Sequence, residues 1–215
     1  MIITEQKQFE KILKSLEGAE KIIVFGCSRC ATSCGTGGEK EVAAIVKKLE
    51  KAGKEVLASK VLEAPCDDRL NRIDFKEVGS GVFKTADAVL VLSCGAGVQT
   101  IADISELPVI PALDSLFLGR TKRIGKFYEM CVMCGDCVLE KTGGICPVAR
   151  CSKRLLNGPC GGSHDGKCEV NPNQDCAWYM IYKKLEKQGK LDKMETRQPP
   201  KDYSKVIRPR KVETR

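Results

Sequence analysis

The sequence of 215 residues contains a single histidine, His164, and this scarcity excludes several kinds of catalytic site. A Ser-His-Asp triad or a Cys-His pair needs a histidine beside the nucleophile. His164 stands in a glycine-rich stretch, so we expect a surface loop residue rather than a base or a metal ligand. No paired carboxylates mark a substrate pocket either, and the sequence therefore predicts no catalytic residue.

Aromatic residues and long apolar runs are also scarce. Phe, Trp and Tyr make up 5% of the chain, which is too few for the stacking surfaces that bind single-stranded nucleic acid. No apolar run approaches the roughly 18 residues that a membrane-spanning helix requires, and the first residues lack a charged-then-apolar secretory pattern. We therefore expect a cytoplasmic protein without a membrane span.

Positive charge is concentrated at the C-terminal end. The formal net charge is +8, and residues 177–215 hold twelve Lys or Arg against five Asp or Glu, which accounts for +7 of it. Such a tail could bind nucleic acid or another anionic surface. A solvated tail, or a strap over a partner subunit, is the favoured interpretation, because residues 190–215 have too few apolar residues for a core of their own.

Cysteine, by contrast, is abundant. Thirteen cysteines are not expected to form disulfides in a reducing cytosol, and the odd number argues against a closed disulfide framework. Metal or cluster ligation is the remaining explanation. All thirteen are therefore candidate iron ligands: Cys27, Cys30, Cys34, Cys66, Cys94, Cys131, Cys134, Cys137, Cys146, Cys151, Cys160, Cys168 and Cys176.

The first half of the chain alternates apolar runs with helical periodicity. This order predicts an α/β fold whose N-terminal part is an open parallel sheet with flanking helices. We expect Thr36 and Glu39 to form a capping box at the start of the second helix. Helices are predicted over residues 4–20, 36–53 and 98–104, and strands over 22–25, 54–59, 88–92 and 109–110, the last at the sheet edge.

Cysteines follow three of these predicted strands. The carboxyl ends of parallel strands meet at one edge of a sheet, so Cys27, Cys66 and Cys94 should converge there. Together with Cys30 and Cys34 they give five thiols for a site that needs four. The alternative is that Cys66 and Cys94 are ordinary buried cysteines, since a free cysteine packs as a small hydrophobe.

A second cysteine-rich region follows. We expect an α/β domain over residues 1–118, a ferredoxin-like cysteine domain over 119–176, and a helix plus an extended basic tail over 177–215. The run Cys131-x-x-Cys134-x-x-Cys137 is typical of proteins that wrap a cubane cluster. Cys146-Pro147 adds to the likeness, although eight residues separate Cys137 from Cys146 where a bacterial ferredoxin has three.

The eight cysteines of this region suit two four-ligand sites. A structural zinc ion and a 4Fe-4S cubane both take four thiolates, so spacing must discriminate between them. The spacing favours two cubanes in this region, hence two or three in the chain, over one cubane and one zinc ion. In the zinc alternative, the ion takes its ligands from Cys146, Cys151, Cys160, Cys168 and Cys176.

The motifs of residues 131–178 together resemble the C-terminal methylenetetrahydrofolate reductase domain family, in the form found in acetogenic bacteria. The segments Gly26–Glu39 and Leu92–Gln99 are similar to the same form, so the likeness covers most of residues 20–185. The motifs that define it are Cys131-x-x-Cys-x-x-Cys137, Thr142-Gly-Gly-Ile-Cys-Pro147, Asn157-Gly-Pro-Cys-Gly-Gly162, Lys167-Cys-Glu169 and Cys176-Ala-Trp178.

This resemblance implies an iron-sulfur subunit that is not itself catalytic. It would relay electrons to or from a flavin-containing methylenetetrahydrofolate reductase catalytic subunit, which binds the folate, and it leaves room for a further electron-donor subunit. No flavin is expected in this chain, and the basic tail would be a docking strap. The alternative from the residues alone is a zinc-stabilised adaptor or nucleic-acid-binding protein.

Overall fold

The computed structural model describes residues 1–213 of the chain. It divides into two compact units, of which the first is Met1–Tyr128 and the second begins at Glu129. Mixed helices and strands with a parallel sheet confirm the predicted α/β class. In chain order the elements up to the boundary are β1 (Ile2–Gln6), α1 (Phe9–Ser15), β2 (Lys21–Cys27), α2 (Cys30–Cys34), α3 (Glu39–Lys51), β3 (Glu55–Leu62), α4 (Asp68–Val78), α5 (Ser80–Thr85), β4 (Ala88–Val91), α6 (Gly95–Ile104), β5 (Val109–Pro111), β6 (Leu113–Arg123) and β7 (Lys126–Cys131).

The main sheet of the first unit has four parallel strands in the order β3-β2-β4-β5. Its central strand β2 is buried over six of seven residues, and all four residues of β4 are buried. Apolar residues on both faces of a strand are expected where helices cover both sides of a parallel sheet. β5 is an edge strand, as the flanking prolines predict.

Helices pack on the two faces of this sheet. One apolar core joins α1 and α3 to the sheet through residues such as Leu16, Val24 and Leu49. The core on the other face surrounds Phe25, which stacks on Phe75 with ring centroids 5.5 Å apart. β2 pairs with β3 as far as Cys27, which lies opposite Leu62, so Cys27 stands at the strand's carboxyl end.

A second sheet, with strand order β1-β6-β7, was not predicted from the sequence. The prediction of a helix over residues 4–20 is wrong at its start, because residues 2–6 form β1 and the helix begins only at Phe9. β1 pairs antiparallel with β6, for example Ile3 with Phe117. Local periodicity does not report a pairing partner more than a hundred residues away.

The cap of α3 also differs from the prediction. The helix begins at Glu39, and its capping hydrogen bond runs from the Gly38 amide to Glu41 Oε2 at 2.9 Å. Thr36 does not cap the helix, because its Oγ1 lies 2.7 Å from Thr4 Oγ1 and donates to the Ala31 carbonyl. The buried threonine therefore ties β1 to the loop that bears the cysteines.

The second unit has little regular structure. Its longest helix ends at Gly189, which lies in the left-handed region with φ 63°. A small core forms around Cys176, Trp178, Ile181 and Leu185. The other elements are short: α7 (Pro147–Arg150), α8 (Ala177–Gln188) and 3-10 turns at Leu139–Lys141, Leu191–Met194 and Tyr203–Val206.

Much of the basic tail is ordered on its own unit. Gln198 is buried. Its backbone N–H donates to Asn157 Oδ1 at 2.7 Å, and its backbone carbonyl accepts from Asn157 Nδ2 at 2.9 Å. Lys193 and Lys201 each donate to a backbone carbonyl of the same unit. Part of the charge that the sequence assigns to a strap over another chain is therefore engaged within this chain.

Among the helices of residues 1–213, none combines the length and the apolar character that a membrane crossing requires.

Close backbone packing at Gly37 leads to a stability prediction. A Cβ at Gly37 would lie 2.1 Å from the Leu92 carbonyl oxygen and 2.9 Å from Ala31 Cβ. Gly37→Ala should therefore lower the free energy of unfolding by about 1–3 kcal/mol, as overpacking does. Urea denaturation followed by circular dichroism measures this change.

Gly81→Ala is the matched control. Gly81 lies within α5, and an added Cβ there meets no atom within 4 Å. Replacing a helical glycine by alanine should raise stability by roughly 0.5–1 kcal/mol. If both variants changed stability equally, close packing at Gly37 would not be the cause.

Candidate metal centres

Four cysteines interact at the carboxyl edge of the main sheet. Cys27 ends β2, Cys30 begins α2, Cys66 follows β3, and Cys94 stands at the N-cap of α6. Burial raises the pKa of the Cys66 thiol, and the charges of Cys94, Cys27 and Cys30 raise it further. Such interactions require proximity, so we treat these four residues as one set, the edge group.

The loop that bears Cys66 is held from two sides. Asn71 of α4 is fully buried, and its Nδ2 donates to the Pro65 carbonyl at 2.7 Å. On the other side, a Cβ at Gly97 of α6 would lie 2.8 Å from Pro65 Cβ. The absence of a side chain at Gly97 thus lets α6, and Cys94 at its start, approach the Cys66 loop closely.

Cys34 is set apart from the edge group. It lies at the far end of the five-residue helix α2, and its Sγ is 3.8 Å from the Ile2 carbonyl oxygen of β1. Of the five thiols that the sequence offers for this edge, the structure therefore brings four together and directs the fifth toward the second sheet.

In the second unit, four cysteines line one cavity of about 310 Å³. They are Cys131, Cys134 and Cys137 of the CxxCxxC run, together with Cys146, the N-cap of α7. The long connection after Cys137 makes a 3-10 turn and returns to the same cavity. We call these four cysteines the ferredoxin-like group.

Lys201 of the tail lines the same cavity. Its side chain is 5% exposed, and its Nζ donates to the Asp136 carbonyl between Cys134 and Cys137. Burial alone would raise the pKa of the Cys134 thiol, but hydrogen bonds from the Asp136 backbone and from Lys201 outweigh it. The pKa is lowered as a result.

The remaining four cysteines line a narrower cavity, of about 20 Å³. Its wall includes Trp178, whose Nε1 donates to the Leu155 carbonyl at 3.0 Å. Backbone hydrogen bonds from Asn171, assisted by the Ser152 hydroxyl, lower the pKa of the Cys168 thiol. We call this set the Trp178 group: Cys151, Cys160, Cys168 and Cys176.

Two of the cysteines lie at the start of helices of ten residues or more. Cys94 is the N-cap of α6 and Cys176 is the N-cap of α8. A helix N-terminus carries partial positive charge that favours a nearby anion. Both helices therefore add favourable electrostatics for thiolates.

Thiols are the donor type that the three sets share. Zinc holds sulfur at about 2.3 Å, which places tetrahedral thiolates roughly 3.8 Å apart. Within residues 1–213, no group of three or more His, Cys, Asp or Glu is placed to hold a metal ion. Each set offers four thiols, which is the number of protein ligands that a structural zinc ion or a 4Fe-4S cubane takes.

His164 takes no part in these groups. Its side chain is 92% exposed, and Nδ1 lies 3.1 Å from Asp165 Oδ2 in the same loop. This matches the prediction of a surface residue.

The fold and these sites define a two-unit α/β protein with three sets of four cysteines. Residues 110–204 match the family model described as methylene-tetrahydrofolate reductase C terminal. These residues include the ferredoxin-like group and the Trp178 group. The match confirms the resemblance drawn from the motifs over these residues of the chain. No curated protein and no solved structure matches it.

Two supporting residues were missed in the sequence. Asn71 is a polar residue within the segment 68–86, which shows no clear periodicity, and nothing local indicates that it reaches Pro65. Lys201 is one of many lysines in a basic tail. Only the position of Pro199-Pro200 just before it marks a segment with restricted backbone.

Removing the Asn71 side chain should loosen the Cys66 loop. Asn71→Ala leaves the Pro65 carbonyl without its donor, and the loss of a buried hydrogen-bond partner costs about 1–3 kcal/mol. We expect a fall of that size in unfolding free energy and faster proteolysis between Ala64 and Asp67. Urea denaturation and mass spectrometry of the fragments measure both effects.

Gln99→Ala serves as the control, because the Gln99 side chain is exposed and donates only within α6, to the Gly95 carbonyl. Its effect should stay within about 0.5 kcal/mol. Equal cleavage of the loop in both variants would contradict an anchoring role for Asn71.

Proposed function

We propose that this chain is an iron-sulfur electron-transfer subunit of a methylenetetrahydrofolate reductase. It passes electrons to or from a flavin-containing catalytic subunit. The grouping of the cysteines supports this most strongly. The edge group, the ferredoxin-like group and the Trp178 group each contain four thiols, which is the number that a 4Fe-4S cluster requires.

A 4Fe-4S cluster supplies one-electron transfer when it is bound. The contribution of this chain is to hold the four thiols of each set and to limit access of water. In the ferredoxin-like group and the Trp178 group it also lowers the pKa of one thiol, Cys134 and Cys168 respectively. In the edge group Cys27 and Cys94 are buried while Cys66 is exposed. This set is therefore largely shielded from water and is accessible at Cys66.

Hydride transfer and folate binding are assigned to the flavin-containing partner. This division suits a chain whose single histidine is exposed and contacts Asp165 of its own loop. The proposal also includes a cytoplasmic location and leaves open a third subunit that donates electrons. Thirteen free thiols agree with a reducing compartment.

Zinc is the second candidate occupant for the Trp178 group. Its cavity of about 20 Å³ is much smaller than the 310 Å³ of the ferredoxin-like group, and a structural zinc ion needs less room than a cubane. All four Trp178-group thiols are among the cysteines that the sequence allows for zinc. The first two sets are assigned to clusters.

Iron content after single substitutions tests the assignment of the edge group. Cys94→Ser should remove about four iron atoms per chain, since one cubane contains four. Cys34→Ser is the matched control and should retain them, because its thiol faces β1. Iron, sulfide and zinc are measured on protein prepared without oxygen.

Loss of iron from Cys34→Ser with retention in Cys94→Ser would overturn the assignment. In the same experiment, Cys168→Ser should release either four iron atoms or one zinc ion. That result decides the occupant of the Trp178 group directly.

Electron transfer tests the function itself. The protein is reduced without oxygen and mixed with a flavin-containing methylenetetrahydrofolate reductase subunit and methylenetetrahydrofolate. We expect bleached absorbance near 400 nm to recover only when both are present, as electrons leave the clusters through the flavin to the folate. Reoxidation at the same rate with and without the flavin-containing subunit would contradict the proposal. A colourless protein that contains only zinc would contradict it as well.

A further inference from the structure

Lys201 is a buried cation beside the ferredoxin-like group. Its side chain is 5% exposed, although a lysine is seldom buried without a partner that compensates its charge. The ammonium group donates to the Asp136 carbonyl, within the CxxCxxC run and next to Cys137. It lines the cavity of about 310 Å³ that Cys131, Cys134, Cys137 and Cys146 share.

The compensation for this charge is incomplete. The nearest carboxylate oxygen, Asp136 Oδ2, is 4.0 Å from Lys201 Nζ, and the Asp136 side chain is 38% exposed. Water therefore screens the carboxylate far more than the ammonium. Among the described residues that line the cavity, Asp136 and Lys201 are the charged ones besides the thiols, so the poorly hydrated ammonium contributes more to the local potential than the exposed carboxylate does.

We propose that Lys201 sets the reduction potential of the site formed by the ferredoxin-like group, raising it above the value that the four thiolates alone would give. This inference rests on the proposed function, since it requires a cluster at those thiols. It adds to the proposed function the residue of the tail that controls the reduction potential of that site.

The physical reason is the charge balance of reduction. A cluster held at these thiols would gain one negative charge on taking up one electron. A fixed cation in a poorly hydrated position stabilises the more negative state and raises the potential. An exposed cation has a much smaller effect, because water and salt screen it.

A purely structural role is the competing explanation. Lys201 could simply fasten the tail to the CxxCxxC run, as Lys193 fastens it to the Glu140 carbonyl. The two roles differ in what they require. Attachment of the tail requires only the hydrogen bond to the Asp136 carbonyl, whereas control of the reduction potential requires the positive charge of Lys201.

The test is a redox titration of the full chain with dithionite, followed by electron paramagnetic resonance. The signal of the ferredoxin-like group is identified by its loss in Cys137→Ser. In Lys201→Met and Lys201→Gln we expect the reduced-to-oxidised ratio at a given potential to fall at least tenfold. That corresponds to a shift of about 59 mV to lower potential for a one-electron couple. Lys201→Arg should keep the original value.

Lys205→Met is the matched control. Lys205 is exposed, and its Cβ lies 3.1 Å from where a Cβ at Gly135 would be, so it covers the same run of residues. The Lys205→Met substitution also removes one positive charge near the CxxCxxC run, but this charge is exposed and therefore screened by water. We expect its potential to remain unchanged, and Trp178 fluorescence should show that all variants keep the fold of the unit.

Each result bears on the proposal differently. Iron-loaded Lys201→Met and Lys201→Gln with unchanged potentials would overturn the inference and leave the proposed function intact. Equal shifts in Lys205→Met would also overturn it, because burial would then be irrelevant. A chain that contains no iron would overturn the proposed function, and this inference with it.

Discussion

The close contact of Gly37 with the carboxyl end of the main sheet is the constraint on which the first unit depends. The Gly37 carbonyl accepts from the Cys27 amide at 2.8 Å, while its Cα lies against the end of β4. This contact locks the loop between β2 and α3 onto the neighbouring strand. Cys27, Cys30 and Cys94 are thereby held at one edge, and Asn71 together with Gly97 positions the loop of Cys66 beside them.

The second unit also holds cysteines from separate loops together, but with far less regular structure. It has one helix of twelve residues, a core of four buried side chains with a few partly buried neighbours, and many loops. Such a core is small for some eighty residues, and metal ligation couples directly to folding energy where ligands come from distant loops. The tail adds hydrogen bonds through Gln198 and Lys201. Thiol sites and tail therefore stabilise each other.

Much of the fold could be predicted because its signals are local. The buried strands β2 and β4 are continuous apolar runs, and α3 and α8 have clear helical periodicity and end at glycine or shortly before it. The second sheet could not be predicted, because β1 pairs with β6 across more than a hundred residues. The predicted N-cap of α3, Thr36, was wrong for a related reason, because its hydroxyl bonds to Thr4 of that same second sheet.

The sequence by itself determined which residues are candidate ligands, the α/β class and the likeness to methylenetetrahydrofolate reductase, since composition, periodicity and motif spacing are properties of the chain. Only the tertiary structure divided the cysteines into sets, because spacing does not say which loops return to the same cavity. It separated Cys34 from the edge group and joined Cys146 to the CxxCxxC run. It also singled out Lys201 from the other tail cations by burying it, which is a matter of three-dimensional packing.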